Sequence, residues 1–320
     1  MASPYPGESS AYGRIAMKFL HNHGGLQRQS RWPTVAFLAP AVIMLLFIYG
    51  FPLLFNVIIS FTNWTGIGWD MKFVGLNNYI NIFTNKATFT VLGNNVKFLV
   101  GTVALQNGFA LWLSTWLVQN FRGRNFFRSM FFMPVLMPMV AVALIFGIML
   151  DPLNGPIAYF AQAVGWDWLA DMRFLGDPKI VMMTLVWINV WQWTGWNIVV
   201  YLAGHQAIPQ EIYESSALDG ASGWTKFRYI TLPMLAPSIT INLVLTTMGA
   251  LKVFDLPYAL TKGGPGNYST TLTMEIVRNT GMLNKAGLAA AMSILLAAII
   301  LCVTFAQNKA LSKQEEAVRE

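Results

Sequence analysis

Long apolar runs, each about twenty residues or more, alternate along this chain with shorter polar stretches. A helix needs about 20 largely apolar residues to cross the hydrocarbon core of a bilayer. Six runs reach that length, at roughly 34–60, 98–118, 129–150, 180–203, 236–256 and 286–306. The pattern predicts an all-α, polytopic membrane protein with six transmembrane helices. The first run is too long for a signal-peptide core and no small-residue cleavage site follows it, so it reads as an uncleaved span. Residues 1–33 mix Gly, Ser, Pro, His and Arg without helical period and predict an N-terminal tail. Residues 307–320 predict a short C-terminal tail, which leaves 34–306 as the membrane domain. No internal repeat is visible.

Composition agrees with the pattern. The chain is 55% hydrophobic and 11% charged, where a soluble domain carries about 25% charged residues. The net charge of +7 does not point to nucleic acid, because the basic residues flank apolar runs instead of gathering on one face. The single cysteine, Cys302, lies in the last run, so no disulfide framework exists and the residue reads as packing. Lys and Arg set the orientation. Arg122, Arg124 and Arg128 crowd the short 119–128 loop, and Lys226 and Arg228 lie in the 204–235 loop. The N-terminal segment adds Arg14, Lys18, Arg28 and Arg31, and the C-terminal one Lys309, Lys313 and Arg319. The intervening loops hold fewer. Both termini and the 204–235 loop are thus expected in the cytoplasm.

The most specific text lies in that loop, EIYESSALDGASGWTKFRYITLP at 211–233. Pro209 marks a turn, and Glu211 to Leu218 can form two helical turns in which small side chains permit close approach. Gly220 then breaks the helix. Aromatic and basic residues (Trp224, Lys226, Phe227, Arg228, Tyr229) run on to Pro233. An ordinary amphipathic interfacial helix is the plain alternative. The ordered spacing of Glu214, two small residues, Gly220 and Ile230-x-Leu232-Pro233 resembles the signature loop of ABC importer permeases, with Ser215 and Ser216 where the family pattern has alanines. The resemblance implies a cytoplasmic coupling helix docked in a cleft of an ATPase subunit. Glu214 and Gly220 would belong to the motif core, beside Ser215, Ser216 and Asp219, and Ala217, Leu218 and Ala221 would touch the ATPase. Two further segments resemble the carbohydrate permeases of this family, of maltose and glycerol-3-phosphate type: FVGLNNYINIF at 73–83, and the Gly-Gly-Pro loop TKGGPGNYSTTL at 261–272.

Candidate binding residues lie on two runs. Asn189, Gln192, Trp193 and Trp196 recur at i, i+3, i+4 and i+7 and share a helix face, and Asn197 extends this polar–aromatic stripe. Sugars offer hydroxyls to amides and C–H faces to aromatic rings, which fits a substrate path. The same amides could instead join helices, and the tryptophans could anchor at the membrane interface. Trp187 and Trp191, off the stripe, suit packing. A second stripe, Asn242, Thr246, Gly249 and Lys252, leads to Asp255. Charges inside a span are functional candidates, although Lys252 and Asp255 could simply pair. Gln106 and Asn107 are ambiguous in the same way.

No residues suggest catalysis or metal binding. No Gly-x4-Gly-Lys-Ser/Thr phosphate loop is present, and His21, His23 and His205 are scattered. The expectation is a permease subunit without catalytic residues, metal or cofactor of its own, moving a carbohydrate by alternating access. By resemblance it would work with a second, homologous permease, two ATPase subunits carrying ATP and Mg, and a periplasmic or lipid-anchored solute-binding protein. It would contact membrane lipids and no nucleic acid. A secondary transporter would want membrane carboxylates beyond Asp255, and a membrane enzyme would want clustered His, Asp or Glu. An importer of the same class for an amino acid, peptide or phosphate ester is the nearer alternative.

Overall fold

A computed structural model describes residues 31–319, so most of the expected N-terminal tail lies outside the described residues. Helix α1 runs Arg31–Leu45, passes through a π turn at Leu46–Gly50 and continues as Phe51–Ile59. Pro52 explains the widened turn: it has no N–H to give, and its ring crowds the carbonyl four residues back. The N–H of Phe51 reaches instead to the Leu46 carbonyl. Phe47, Phe51 and Phe55 stack along one face, with centroids 6.4 and 6.2 Å apart. The chain divides into two compact units, one ending at Phe55 and the other starting at Asn56.

The second unit contains α2 (Asn77–Thr84), α3 (Lys86–Leu117), α4 (Arg124–Phe132, with a 3-10 turn at Met133–Leu136) and α5 (Met139–Met149). Next come α6 (Pro156–Val164), α7 (Asp167–Ala170), α8 (Val181–Ala207) and α9 (Gln210–Leu218). α10 starts as Gly223–Lys226 and passes through a π turn at Phe227–Thr231 to Leu232–Met234. α11 (Ala236–Leu251), α12 (Asp255–Thr261), α13 (Leu272–Gly281) and α14 (Ala286–Arg319) complete it. Among the described residues the one isolated β-bridge joins Thr62 and Phe73.

The 32-residue α3 is the spine. Its Phe98 joins Val142, Leu185, Val186, Ala250 and Leu256 in one apolar cluster. Val91 joins Ile82, Leu272, Ala291 and Met292 in a second, and Ala110 and Leu117 meet Ile198 and Tyr201 in a third. Between helices in a bilayer such clusters gain from close packing more than from leaving water, since lipid tails are as apolar as Leu.

Among the described residues three helices are long and apolar enough to cross a membrane by themselves: Ala36–Ile59, Lys86–Leu117 and Ala286–Ser312. Two of the expected spans differ from straight helices. Over 129–150 the chain bends by 97° between Arg124–Leu136 and Met139–Met149. Pro138 causes it, since the residue before a proline is driven out of the helical region, and Met137 is extended at φ −77° and ψ 132°. The fifth expected span, 236–256, ends early at Leu251, and a 68° bend at its start separates Gly223–Met234 from Ala236–Leu251. Proline near the start of α11 suits that bend, because first-turn N–H groups have no intrahelical acceptor. α8 is 27 residues long and carries amides that lower its hydropathy. Past position 306 helix α14 continues to Arg319, through residues of high helix propensity.

α8 approaches the end of α4 closely at Gly195. A Cβ there would run into the Phe131 carbonyl oxygen and lie 2.9 Å from Phe132 Cα. The glycine brings the amide-bearing face of α8 against its neighbours.

Candidate functional site

A cavity of about 400 Å³ opens between α3, α8, α11 and the start of α12. Seven residues of the two predicted stripes line it (Asn189, Trp193, Trp196, Asn197, Thr246, Gly249, Lys252), together with Asp255. Trp193 and Trp196 are 37% and 46% exposed, so their rings form open wall. Gln106 and Thr102 of α3 also contribute. The Thr102 hydroxyl is buried without a hydrogen-bond partner among the described residues.

Two predicted path residues lie elsewhere. The Gln192 Nε2 donates to the Met137 carbonyl at 3.1 Å, and Asn242 Nδ2 donates to the Asn197 carbonyl at 3.1 Å. Neither lines the cavity. Met137 is the extended residue at the α4–α5 bend, and its carbonyl, freed from any helix ladder, takes its hydrogen from Gln192. Its spacing of three from Asn189 and four from Trp196 put Gln192 on the right side of α8 but not in the wall. Both amides join helices, as the competing reading had it.

The cavity floor is a buried amide network. Asn197 Oδ1 accepts from Gln106 Nε2 at 3.0 Å, while its Nδ2 donates to Asn107 Oδ1 at 3.2 Å and Thr246 Oγ1 at 3.0 Å. Asn189 Nδ2 donates to Gln106 Oε1 at 3.4 Å, and the Tyr201 hydroxyl to Asn107 Oδ1 at 2.9 Å. Asn197 thus links α3, α8 and α11, with both of its N–H donors used inside the protein. Trp187 and Trp191 pack against Phe109 and Phe146, with centroids 5.8 and 5.2 Å apart, away from the wall.

Lys252 and Asp255 do not pair: no ion pair joins them, and both side chains are exposed. Each sits at the helix end that suits its charge. Lys252 caps the C-terminus of α11, where partial negative charge gathers, and Asp255 lies in the first turn of α12, where partial positive charge does. The break at 252–254 therefore places both charges at the cavity rim without neutralising either.

Behind the break, the 261–272 loop is tied to α3 by two adjacent amides that the sequence pattern did not single out. Asn94 Nδ2 donates to the Asn267 and Thr270 carbonyls at 2.8 and 3.0 Å. Asn95 donates to the Leu251 carbonyl at 3.2 Å and accepts from the Leu272 N–H at 2.7 Å. Two consecutive amides in an apolar run were the available signal.

The motif loop folds as its spacing predicts. α9 covers Gln210–Leu218, and Gly220 follows at φ +80°. The Ala221 N–H bonds the Ser216 carbonyl at 2.9 Å and the Gly220 N–H the Ala217 carbonyl at 3.2 Å. This double bond pattern closes a helix through a left-handed residue, a conformation that favours glycine. Glu214, Ser215, Ala217, Leu218 and Asp219 are exposed, Leu218 at 90%. Ser216 turns inward and bonds the Tyr213 carbonyl at 2.8 Å, while Ala221 is half-buried. Glu214 accepts from Gln210 Nε2 at 2.7 Å. Tyr213 braces the loop, its hydroxyl 3.3 Å from Thr231 Oγ1 and its ring under the Lys226 ammonium at 4.6 Å.

Residues 106–312 match the family described as the binding-protein-dependent transport system inner membrane component. The chain belongs to this family. The match takes in the motif loop, the 261–272 loop and all of the cavity lining except Thr102. A probable ABC transporter permease, YurN of Bacillus subtilis, is 33% identical over 85% of this chain and 94% of its own length. The multiple sugar-binding transport system permease MsmF of Streptococcus mutans is 30% identical over 89% of the chain and 96% of its own. In structure, the chain is similar to one from a bacterial ABC transporter that imports the acidic polysaccharide alginate. That likeness has a TM-score of 0.78 at 22% identity, covering 88% of this chain and 96% of the other, and concerns the fold. The protein is thus a membrane-embedded permease subunit of a binding-protein-dependent ABC importer, a transport component and not an enzyme.

Proposed function

We propose that this permease subunit carries a carbohydrate across the bacterial inner membrane and that the cavity under Trp193 and Trp196 is its part of the path. The observation that carries the reading is the pairing of two open tryptophan rings with Asn189, Asn197 and Thr246 around one 400 Å³ space. Rings suit the C–H faces of a sugar and amides suit its hydroxyls. The names of relatives support the substrate class, since they include a lactose permease of Rhizobium radiobacter, 32% identical, and a trehalose/maltose permease of Thermococcus litoralis, 31% identical.

The three single helices, the two bent pairs and α8 together make six spans, with both termini in the cytoplasm. A second, homologous permease completes the path. Two ATPase subunits bind ATP and Mg, and each coupling loop docks on one through Glu214, Ser215, Ala217, Leu218, Asp219, Gly220 and Ala221. Ser216 supports the turn from inside. A solute-binding protein, free in the periplasm or lipid-anchored, delivers the sugar. Closure of the ATPases on ATP moves the loops, and the spans rock between outward and inward access.

Reconstitution of the complete importer tests this reading. Sugar-dependent ATP hydrolysis and uptake are expected, and Trp193→Ala is expected to slow uptake while the ATPase still co-purifies. A binding protein that captures an amino acid or peptide instead of a sugar would overturn the substrate class, and loss of assembly in Trp193→Ala would remove that residue from the path.

A further inference from the structure

The segment between the coupling loop and α11 has two unlike faces. Trp224, Thr225, Arg228 and Tyr229 fall at i, i+1, i+4 and i+5, on one side of α10, and all four are exposed, Trp224 at 73% and Tyr229 at 74%. The other side is held by the chain itself: Lys226 lies over the Tyr213 ring, Thr231 meets the Tyr213 hydroxyl, and Phe227 packs beside Trp224 at 5.4 Å. Among the described residues Arg228 has no ion pair, and its guanidinium stands 5.9 Å from the centre of the Tyr229 ring.

This face continues through the joint at Leu235 into α11, from which it is bent by 68°, and the two arms have the length and apolarity of one broken span only when taken together. With α11 crossing the bilayer near its normal, Gly223–Met234 runs closer to the membrane plane than to that normal. An indole, a phenol and an unpaired cation on such a segment match the headgroup layer, where amphipathic rings settle and basic side chains meet phosphate. We infer that the 224–229 face is seated on anionic phospholipid, with Arg228 held against a headgroup phosphate and Trp224 and Tyr229 at the boundary with the acyl chains. The contact lies a few residues after Gly220, so it fixes the resting height of the coupling loop against the membrane. The inference rests on the cytoplasmic placement of this loop proposed above.

The test uses the complete importer in nanodiscs of phosphatidylcholine, with or without phosphatidylglycerol. A fluorescent probe on Thr225→Cys, in a Cys302→Ser background, is quenched by headgroup spin-labelled lipid. Quenching by spin-labelled phosphatidylglycerol is expected to exceed that by spin-labelled phosphatidylcholine. One cation at an anionic surface contributes about fivefold to partitioning, so Arg228→Gln should remove a preference of that order, and Arg228→Lys should retain it. High salt should weaken it as well. Equal quenching by both lipids, or a preference that survives Arg228→Gln, would overturn the inference. So would a probe shielded from lipid until the ATPase subunits are stripped away, which would give this face to the ATPase. A wrong membrane placement shows itself separately: a cysteine at Ser222 would then react from the outer side of intact cells.

Discussion

At single positions, burial separates residues that sequence spacing groups together. Gln192 and Trp193 are neighbours on one stripe, yet Gln192 is 1% exposed and Trp193 37%. Gln192→Ala leaves the Met137 carbonyl without its donor at a half-buried bend, a loss of about 0.5–1.5 kcal/mol. The expected result is a lower melting temperature of the purified complex. Trp193→Ala should leave that temperature nearly unchanged and slow uptake. Asn197→Ala removes partners from Gln106, Asn107 and Thr246 at once, so thermal melting should place it below Gln192→Ala. Gly220 makes a different demand. Alanine in the left-handed region costs about 1–2 kcal/mol, and proline can neither adopt that angle nor donate to the Ala217 carbonyl. Gly220→Ala should partly uncouple sugar-stimulated ATP hydrolysis from uptake, and Gly220→Pro should do so fully, with membrane insertion intact. Normal coupling in Gly220→Pro would end the assignment of this loop.

At the level of elements, proline and glycine determine where helices bend and how near they come. Gly195 lets α8 lie against the Phe131 carbonyl, and a methyl group there must push the two segments apart. Overpacking of this kind costs about 1–3 kcal/mol. Gly195→Ala should therefore lower expression and thermal stability, and a milder effect in a variant with Phe131 also changed would leave the contact in doubt, since the clash is with backbone. Most of the element map was legible in the sequence because apolar runs of spanning length are a strong signal. Helix α9 of the motif loop was legible too, through its small residues and its glycine stop. The bends at Met137 and Leu235 were not drawn, although Pro134, Pro138, Pro233 and Pro237 stood in the text, because an apolar run does not reveal the direction in which a helix leaves a proline. Two buried amides of α3 escaped for a related reason. Asn94 and Asn95 find partners on segments far away in sequence, and no local period encodes such meetings.

For the molecule as a whole, the two charges at 252–255 and the aromatic wall share one cavity, while the motif loop lies at the far end of the helices that form it. Topology is the property to test at this scale. Cysteines at Ser222 and Tyr268, in a Cys302→Ser background, should react with an impermeant reagent from opposite sides, Tyr268 from outside. Reaction of both in intact cells would overturn the six-span arrangement. Loosening the 261–272 loop should also act at this scale. Asn94→Ala frees two carbonyls that α3 now holds, so hydrogen exchange should speed up throughout 263–271 while the coupling loop keeps its protection.

The bend at Leu235 makes α10 and α11 the two arms of a crank. At about 1.5 Å per residue, the arm from Gly223 to Met234 is roughly 18 Å long, and the 16-residue α11 roughly 24 Å. Turned rigidly about the joint, the far tip of the longer arm travels about one third farther than the near tip of the shorter one, in proportion to those lengths. The far tip carries Lys252, so a modest tug near Gly223 is geared up, and turned through 68°, at the rim where a charge could grip or release the cargo.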